Sequence, residues 1–194
     1  MHERRFDPAM AGKLDAPERK TWLPVEAVLA RLALQPDLAV ADVGAGTGYF
    51  ALPIAEVVGA SGKVYAVDVE PQMLAKLQAR VAESHTVNVH CVHGEASATN
   101  IPDSSCDLIL MANVWHEFDS HSAVLGEAAR ILKPAGRIAI LDWCADLDSP
   151  PGPPKAHRIA KQAVCDLLAA SGWKVLYIAD AGMFSYLVMA SRPD

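Results

Sequence analysis

Residues 39–52, AVADVGAGTGYFAL, decide the fold of this 194-residue chain. The run 38–43 is short and almost wholly apolar, which is typical of a strand buried on both faces of a parallel sheet. Alternate glycines follow this strand, at Gly44, Gly46 and Gly48. A glycine lacks a Cβ atom, so the turn can adopt positive φ values and a ligand can approach its backbone closely. Residues 47–58 are then predicted to form a helix, and a turn between a strand and a helix is where open α/β sheets bind ligands.

A second acidic strand end indicates what kind of ligand this turn binds. The apolar strand predicted over residues 63–67 is followed by Asp68, 24 residues beyond Gly44 and close to the spacing at which an acid binds a ribose hydroxyl in dinucleotide folds. Tyr49 stands where the dinucleotide fingerprint has its third glycine. Asp42 adds a carboxylate at the turn, which suits a positively charged ligand better than a pyrophosphate. The pattern therefore favours a positively charged nucleoside, with an NAD-dependent oxidoreductase as the alternative.

At these residues the chain resembles the class I S-adenosylmethionine-dependent methyltransferases, in the methyltransferase type 11 group that includes the ubiquinone and menaquinone C-methylases. The features that match this family, in order along the chain, are DVGAGTGYF, Asp68, Gly94-Glu95, the strand end at Asn113 and LKPAGR, in which Ala135 replaces a glycine. The resemblance covers about residues 20–191. It implies an α/β fold, a Rossmann-like doubly wound sheet of seven strands with the last strand antiparallel and helices on both faces.

The resemblance also implies a cofactor, S-adenosylmethionine, with S-adenosylhomocysteine as its product. Asp42 and the backbone of residues 44–48 would hold the methionine end, and Asp68 the ribose. Glu95 or the backbone of Ala96 would lie beside the adenine. The complete set of cofactor-binding residues predicted in this way is Asp42, Gly44, Ala45, Gly46, Gly48, Tyr49, Asp68, Val69, Glu95, Ala96 and Asn113.

The end of the fourth predicted strand supplies the candidate catalytic residue. This strand, residues 106–112, is followed by NVWHEF, and in the family the position of Asn113 contacts the methionine part of the cofactor. His116 is predicted to be the general base, because imidazole titrates near neutral pH and can take a proton from a hydroxyl, a thiol or a carbon acid. A purely structural hydrogen-bonding role is the alternative for His116.

The methyl acceptor is predicted to be a small molecule. The chain has no large inserted domain and no [ND]PP[YF] segment, the signature of amino-group methylation on nucleic-acid bases and protein glutamine. Its net charge is −6, and its basic residues are scattered, which counts against a nucleic-acid partner. Four aromatic residues form either a pocket for the acceptor or part of the core: Trp22, Tyr49, Trp115 and Trp143. A non-catalytic S-adenosylmethionine-binding protein is a further alternative.

Length and composition predict a single domain, with an N-terminal helical segment over residues 1–36 packed on a core over residues 37–194, which the resemblance implies is the S-adenosylmethionine-binding methyltransferase domain. The N-terminal segment either packs on the sheet edge or covers the ligand through Phe6 or Trp22. The sequence has no apolar run of the roughly 18 to 20 residues that span a bilayer and no apolar signal sequence, so a cytoplasmic location without membrane insertion is expected. The four cysteines form no CxxC pair, and His90 and His93 fall on opposite strand faces, so no metal site is expected.

Overall fold

The computed structural model describes residues 6–148 and 151–193. The first five residues of the predicted N-terminal segment, residues 149–150 of the proline-rich loop and Asp194 lie outside this part of the chain. The strands of the described residues are β1 (Ala39–Val43), β2 (Lys63–Asp68), β3 (Val89–His93), β4 (Cys106–Ala112), β5 (Leu132–Trp143), β6 (Lys174–Ala181) and β7 (Ser185–Ser191). The helices are α1 (Pro17–Trp22), α2 (Val25–Leu32), α3 (Ala51–Val58), α4 (Pro71–Glu83), α5 (His121–Ile131) and α6 (Lys161–Ala170).

One sheet contains all seven of these strands, in the order β3-β2-β1-β4-β5-β7-β6. The neighbours from β3 to β5 pair in parallel, whereas β7 is antiparallel to both β5 and β6. This is the sheet that the sequence predicts, with its last strand antiparallel. The chain order reverses between β1 and β4, so a crevice forms outside their carboxyl ends, and ligands of open α/β sheets bind at such a point.

Helices cover both faces of the sheet because successive residues of a buried strand point to opposite sides. In β1, Val40 packs with α2, α3 and Leu77 of α4 on one face, while Ala41 packs with α5 and α6 on the other. The N-terminal part of the chain joins the first of these layers, since Leu23 and the apolar side of α2 are buried in it.

Several element boundaries differ from those predicted. Residues 47–50 form turns rather than helix, so α3 begins at Ala51. In the helix predicted over residues 154–171, residues 155–157 form a short 3-10 turn and Arg158, which donates to the carbonyls of Pro153 and Leu147, is extended, so α6 begins only at Lys161. The LKPAGR segment belongs to β5, with a register shift against β4 and with Ala135 at a φ of 61°.

The segment between β3 and β4 carries Glu95 and Ala96, and it is anchored by a buried carboxylate of α5. Glu127 Oε1 accepts hydrogen bonds from the backbone nitrogen of Thr99 at 2.7 Å and from its hydroxyl at 2.6 Å. Arg130 donates to both oxygens of Glu127 and to the carbonyl of Ile101. This network fixes the segment that reaches the carboxyl ends of the strands.

The Glu127 network predicts a pH-dependent contribution to stability. Burial would raise the pKa of Glu127, but the hydrogen bonds from Arg130 and Thr99 outweigh burial and lower the pKa to about 2. A lowered carboxyl pKa means that the stabilisation is complete above the pKa of the unfolded state, roughly 4.3, and is lost as pH falls toward 2. We expect Glu127→Gln to lower the free energy of unfolding by about 2 to 3 kcal/mol at pH 7, and by less at pH 3.

Urea unfolding followed by circular dichroism at pH 7 and pH 3 measures this difference. Glu56→Gln, an exposed glutamate of α3, is the matched control and should change little at either pH. An equal loss for Glu127→Gln at both pH values would contradict the assigned role.

Candidate functional site

A cavity of about 240 Å³ opens at the carboxyl ends of β1, β2 and β4, beside the point where the strand order reverses. Ten of the predicted cofactor-binding residues line it: Asp42, Gly44, Ala45, Gly46, Tyr49, Asp68, Val69, Glu95, Ala96 and Asn113. The structure therefore gathers at one crevice side chains that are spread over some 70 residues of sequence, since the strand ends that carry them are neighbours in the sheet.

Gly48, the remaining predicted residue, does not line the cavity. Its φ is +89°, and a Cβ atom placed on it would lie 2.3 Å from Cδ1 of Leu77 in α4. The positive φ and the close approach of Leu77 thus favour a glycine at position 48 whether or not a ligand contacts it. In the same turn, a Cβ atom on Gly44 would lie 2.8 Å from Cγ2 of Val114.

Asp68 ties the glycine-rich turn to the end of β2. The backbone nitrogen of Gly46 donates to Asp68 Oδ2 at 2.8 Å, and the backbone nitrogen of Glu70 donates to Oδ1 at 2.9 Å. Each carboxylate oxygen keeps a second lone pair that can accept from a ligand hydroxyl. Burial raises the pKa of Asp68 in spite of these two hydrogen bonds. Asp68 thus shapes the turn as well as offering acceptors to the cavity.

Two buried charges of opposite sign face the same cavity. Asp42 is 2% exposed, and burial together with the charge of Asp68 raises its pKa to about 7. Arg19 of α1 is 6% exposed, and its guanidinium carbon lies 4.0 Å from the centre of the Tyr49 ring. Burial lowers the pKa of Arg19, while Tyr49, Asp15 and Asp42 act in the opposite direction.

Arg19 was not among the predicted site residues. It lies on a helix of only six residues, PERKTW, with no periodic pattern to mark one face. Its Nη1 donates to the carbonyl of Leu14 at 3.0 Å, whereas its Nε has no hydrogen-bond partner among the described residues. The docking of the N-terminal segment over the turn brings this cation to the cavity, and that docking leaves no local sequence signal.

Asn113 presents an unsatisfied amide at the cavity wall. Its φ is 56°, and its backbone nitrogen donates to the carbonyl of Leu141 at 2.7 Å. Both side-chain atoms, Oδ1 and Nδ2, are buried without a partner in the part of the chain that the structure describes. Buried polar atoms are normally hydrogen-bonded, so this amide is suited to a polar ligand group.

His116 lies behind the cavity wall, whereas Glu117 faces the cavity. Both residues belong to a short 3-10 turn, Trp115–Glu117, after β4. Asp142, at the end of β5, accepts from the backbone nitrogen of His116 at 2.8 Å and lies 2.8 Å from its Nδ1. These two contacts with Asp142 direct the His116 ring toward β5. His116 is 4% exposed, and it is not among the described residues that line the cavity. The position differs from that expected of a base in contact with the acceptor.

The His116 imidazole instead lies near the carboxylate of Glu117. His116 Nε2 lies 3.8 Å from Glu117 Oε1, and the backbone nitrogen of Phe6 donates to Glu117 Oε2 at 3.2 Å. Burial disfavours the charged imidazole, but Asp142 and Glu117 outweigh burial and raise the pKa of His116. Burial raises the pKa of Glu117 to about 7, against the opposing effects of His116 and the Phe6 N–H.

Trp22, Trp115 and Trp143 pack against other side chains and do not line this cavity. Trp115 is fully buried beside Phe118 and His121. Trp22 and Trp143 have ring centres 5.3 Å apart, away from the described cavity lining. Of the four aromatic residues singled out in the sequence, Tyr49 alone lines the cavity, and its hydroxyl donates to the carbonyl of Leu23 at 2.6 Å. From the N-terminal segment, Phe6 rather than Trp22 reaches the cavity.

Neither a metal site nor a membrane-spanning helix is present within residues 6–148 and 151–193. No group of three or more histidine, cysteine, aspartate or glutamate side chains there could hold a metal ion, and all four cysteines are free. None of the helices in these ranges combines the length and apolar composition that crossing a bilayer requires.

Comparison with known proteins identifies the family. Residues 41–140 match the family model described as a methyltransferase domain. A solved structure, described as a SAM-dependent methyltransferase from Aquifex aeolicus, superimposes with a TM-score of 0.91 and 32% identity, over 96% of this chain and 99% of that one. The chain belongs to the S-adenosylmethionine-dependent methyltransferase family. The resemblance inferred from the sequence motifs is thus confirmed, and the comparisons give no support to an NAD-dependent oxidoreductase or to a non-catalytic binding protein.

The curated relatives of this methyltransferase are longer proteins. A demethylmenaquinone methyltransferase of Geobacillus sp. (strain WCH70) is 31% identical over 117 residues, which cover 60% of this chain and 50% of that protein. An arsenite methyltransferase of Halobacterium salinarum is 32% identical over 57% of this chain and 28% of that protein. The chain therefore spans about half the length, or less, of these relatives.

The packing at Gly48 of this methyltransferase leads to a stability prediction. Gly48→Ala adds a methyl group at positive φ against Leu77, so strain and overpacking should lower the free energy of unfolding by about 3 kcal/mol. The double variant Gly48→Ala with Leu77→Ala should still be less stable than Leu77→Ala alone, because the positive φ remains strained.

Chemical unfolding of these variants checks the prediction. Gly12→Ala, whose added Cβ atom would meet nothing within 4 Å, is the control and should unfold like the unmodified protein. A Gly48→Ala protein of unchanged stability would show that α4 does not constrain the turn.

Proposed function

We propose that this chain transfers the methyl group of S-adenosylmethionine to a small, largely apolar molecule by in-line displacement. The observation that carries the proposal is the pair of opposite charges, Arg19 and Asp42, buried in the cavity that Asp68 and Asn113 also line. The methionine moiety of the cofactor is a zwitterion, so one buried cation and one buried carboxylate match its two charged groups. A pyrophosphate would bring only negative charge toward Asp42.

In this arrangement Asp42 would bind the ammonium group of the methionine moiety, and Arg19 would bind its carboxylate. The unsatisfied amide of Asn113 would complete the polar contacts of this end. Burying a charge is costly without a partner, so the ligand would relieve a cost that the free protein carries at Asp42 and Arg19. The buried pair thus supports recognition of the methionine end.

Residues at the ends of β2 and β3 would bind the nucleoside end of the cofactor. Asp68 offers free lone pairs to the ribose hydroxyls, while its existing hydrogen bonds hold the turn in place. Val69 supplies an apolar surface for the adenine, and Glu95 and Ala96 line the same side of the cavity. The Glu127 network fixes the segment that carries Glu95 and Ala96, so α5 supports the nucleoside site indirectly.

The bound cofactor supplies a methyl group that its sulfonium has already activated. The chain would therefore contribute chiefly by aligning the acceptor with that group and by excluding water. Phe6 and Leu14 of the N-terminal segment line the cavity. Their position supports a role of the N-terminal segment in shielding the reacting groups.

The acceptor side of the cavity is mainly apolar. Its lining includes Phe6, Val114, Phe118 and Val124. Such a surface fits an apolar ring system, in keeping with the demethylmenaquinone methyltransferases among the relatives. Arsenite is a poorer candidate, because soft thiolate ligands suit it best and no cysteine lies among the described residues of the cavity.

Asp42→Asn should separate binding from stability. Removing the charge that faces the ammonium should weaken the binding of S-adenosylhomocysteine by about 2 to 5 kcal/mol, which is at least about 30-fold in Kd. The pKa of Asp42 is raised to about 7 in the folded protein, so the ligand-free protein loses stability as pH rises from the unfolded-state pKa of roughly 3.9, and the loss is complete above about 7. We therefore expect the ligand-free variant to be more stable than the unmodified protein at pH 8.

Isothermal titration with S-adenosylhomocysteine, and thermal unfolding of the ligand-free proteins, test both halves of this expectation. Asp166→Asn, which alters an exposed carboxylate on α6, should change neither quantity. NAD, titrated in parallel, should give no binding heat. Failure of the unmodified protein to bind S-adenosylhomocysteine, or tighter binding of NAD, would overturn the proposed function.

A further inference from the structure

We infer that Glu117 is the catalytic base, which accepts the proton that the methyl acceptor loses, and that His116 and Asp142 are positioning residues behind it. The inference rests on the proposed function, because it assigns a role within the same methyl-transfer cavity. It moves the proton-accepting role from His116 to the neighbouring carboxylate.

The geometry of the 3-10 turn supports this assignment. Val114, just before the turn, packs directly on Gly44 of the glycine-rich turn, so residues 114–117 lie against the segment proposed to hold the methionine end. Glu117 lines the cavity with a side chain that is 15% exposed. Phe6, whose backbone nitrogen contacts Glu117, and Phe118 line the same cavity. A carboxylate in this position can contact the acceptor directly.

The other acidic residues of the cavity are less suited to this role. Asp42 lies below the glycine-rich turn and carries the charge proposed for the ammonium group. Asp68 is held by backbone hydrogen bonds from Gly46 and Glu70, and Glu70, which also lines the cavity, lies beside it at the start of α4, on the side proposed for the nucleoside. Glu95 and Asp119 are exposed, where water would compete for a transferred proton. Glu117 is the acid that combines burial, access to the cavity and an imidazole behind it.

Asp142 and His116 form a fixed support for Glu117. Asp142 is fully buried, and its two oxygens engage the backbone nitrogen and Nδ1 of His116 while Oδ1 also accepts from the backbone nitrogen of Trp143. Asp142 and Glu117 raise the pKa of His116, which favours the charged ring, with Nδ1 at 2.8 Å from Asp142 Oδ1 and Nε2 at 3.8 Å from Glu117 Oε1. His116 therefore places a fixed positive charge beside the Glu117 carboxylate.

The proposed step balances in atoms and charge. The bond between the acceptor atom and its hydrogen breaks, and the proton passes to Glu117. The acceptor's electron pair forms the new bond to the methyl carbon, while the carbon–sulfur bond breaks and its electron pair stays on sulfur as S-adenosylhomocysteine forms. The proton on Glu117 reaches solvent when the products leave. This step suits a neutral, weakly acidic acceptor such as a hydroquinone.

The charges around Glu117 set the expected pH dependence. Asp142 and Asp68 act on it as negative charges, His116 as a positive one, and Arg158 acts on His116 in turn. With burial, these groups hold the pKa of Glu117 at about 7. Because a protonated carboxyl cannot accept the acceptor's proton, turnover should rise with pH through this region. Replacing His116 by Asn removes the opposing positive charge, so it should move the rise to higher pH.

Glu117→Gln is the decisive variant, since it keeps the shape of the side chain and removes the base. The probe is 1,4-dihydroxynaphthalene, with methyl-labelled S-adenosylmethionine as the donor. We expect Glu117→Gln to lower kcat at least about 100-fold while leaving the Kd for S-adenosylhomocysteine nearly unchanged. His116→Asn should lower kcat less and shift the pH profile. Glu83→Gln, an exposed glutamate of α4, is the control and should retain full turnover.

A second measurement decides the matter whether or not this probe is methylated. In protein labelled with ¹³C at glutamate Cδ, one carboxyl resonance should titrate near pH 7, disappear in Glu117→Gln and titrate higher in His116→Asn. A Glu117 resonance that titrates near the ordinary glutamate value of about 4.3, or a Glu117→Gln protein with undiminished kcat, would overturn the inference. Binding of S-adenosylhomocysteine by the unmodified protein keeps this test separate, because its absence would refute the proposed function itself.

Discussion

The carboxylate of Asp68 is the contact on which the rest of the site depends. It joins the turn after β1 to the end of β2 through the backbone nitrogens of Gly46 and Glu70, so the two strands present their carboxyl ends in a fixed relation. A main-chain turn that contains several glycines has many conformations available in the unfolded chain, and it needs such a constraint to hold one. The preformed shape of the cavity follows from this constraint.

The cavity is also a place where the protein gives up stability. The pKa values of Asp42, Asp68 and Glu117 are all raised by burial, which means that their ionised forms are disfavoured in the ligand-free protein. Shifted pKa values of this kind cluster at functional sites. The Glu127 network has the opposite character, since its carboxylate is fully paired and lowered in pKa. The cavity therefore contains carboxylates whose ionised forms are disfavoured by burial. The carboxylate of Glu127, which anchors the segment between β3 and β4 from α5, is instead stabilised by its hydrogen bonds.

The sheet and most of the cavity could be predicted from the sequence because they rest on local patterns. Apolar runs that end in Asp42, Asp68 or Asn113 mark strand ends, and a doubly wound sheet brings such ends together. Arg19 could not be predicted in this way, because its position depends on how a short N-terminal helix docks on the turn. The choice between His116 and Glu117 depends on the direction of a single 3-10 turn. The packing of Leu77 against Gly48 likewise depends on where α4 lies, which the sequence around the turn does not indicate.

The hydrogen bond between Phe6 and Glu117 is made by the main chain of Phe6, while the side chain of the same residue lines the cavity. Every amino acid except proline can provide that N–H group. The size and polarity of the side chain at position 6 can therefore change without removing the contact to Glu117. With Glu117 as the proposed base, acceptor preference and proton chemistry would be separable in evolution, and a family built on this arrangement could diversify its substrates at that position while keeping one reaction.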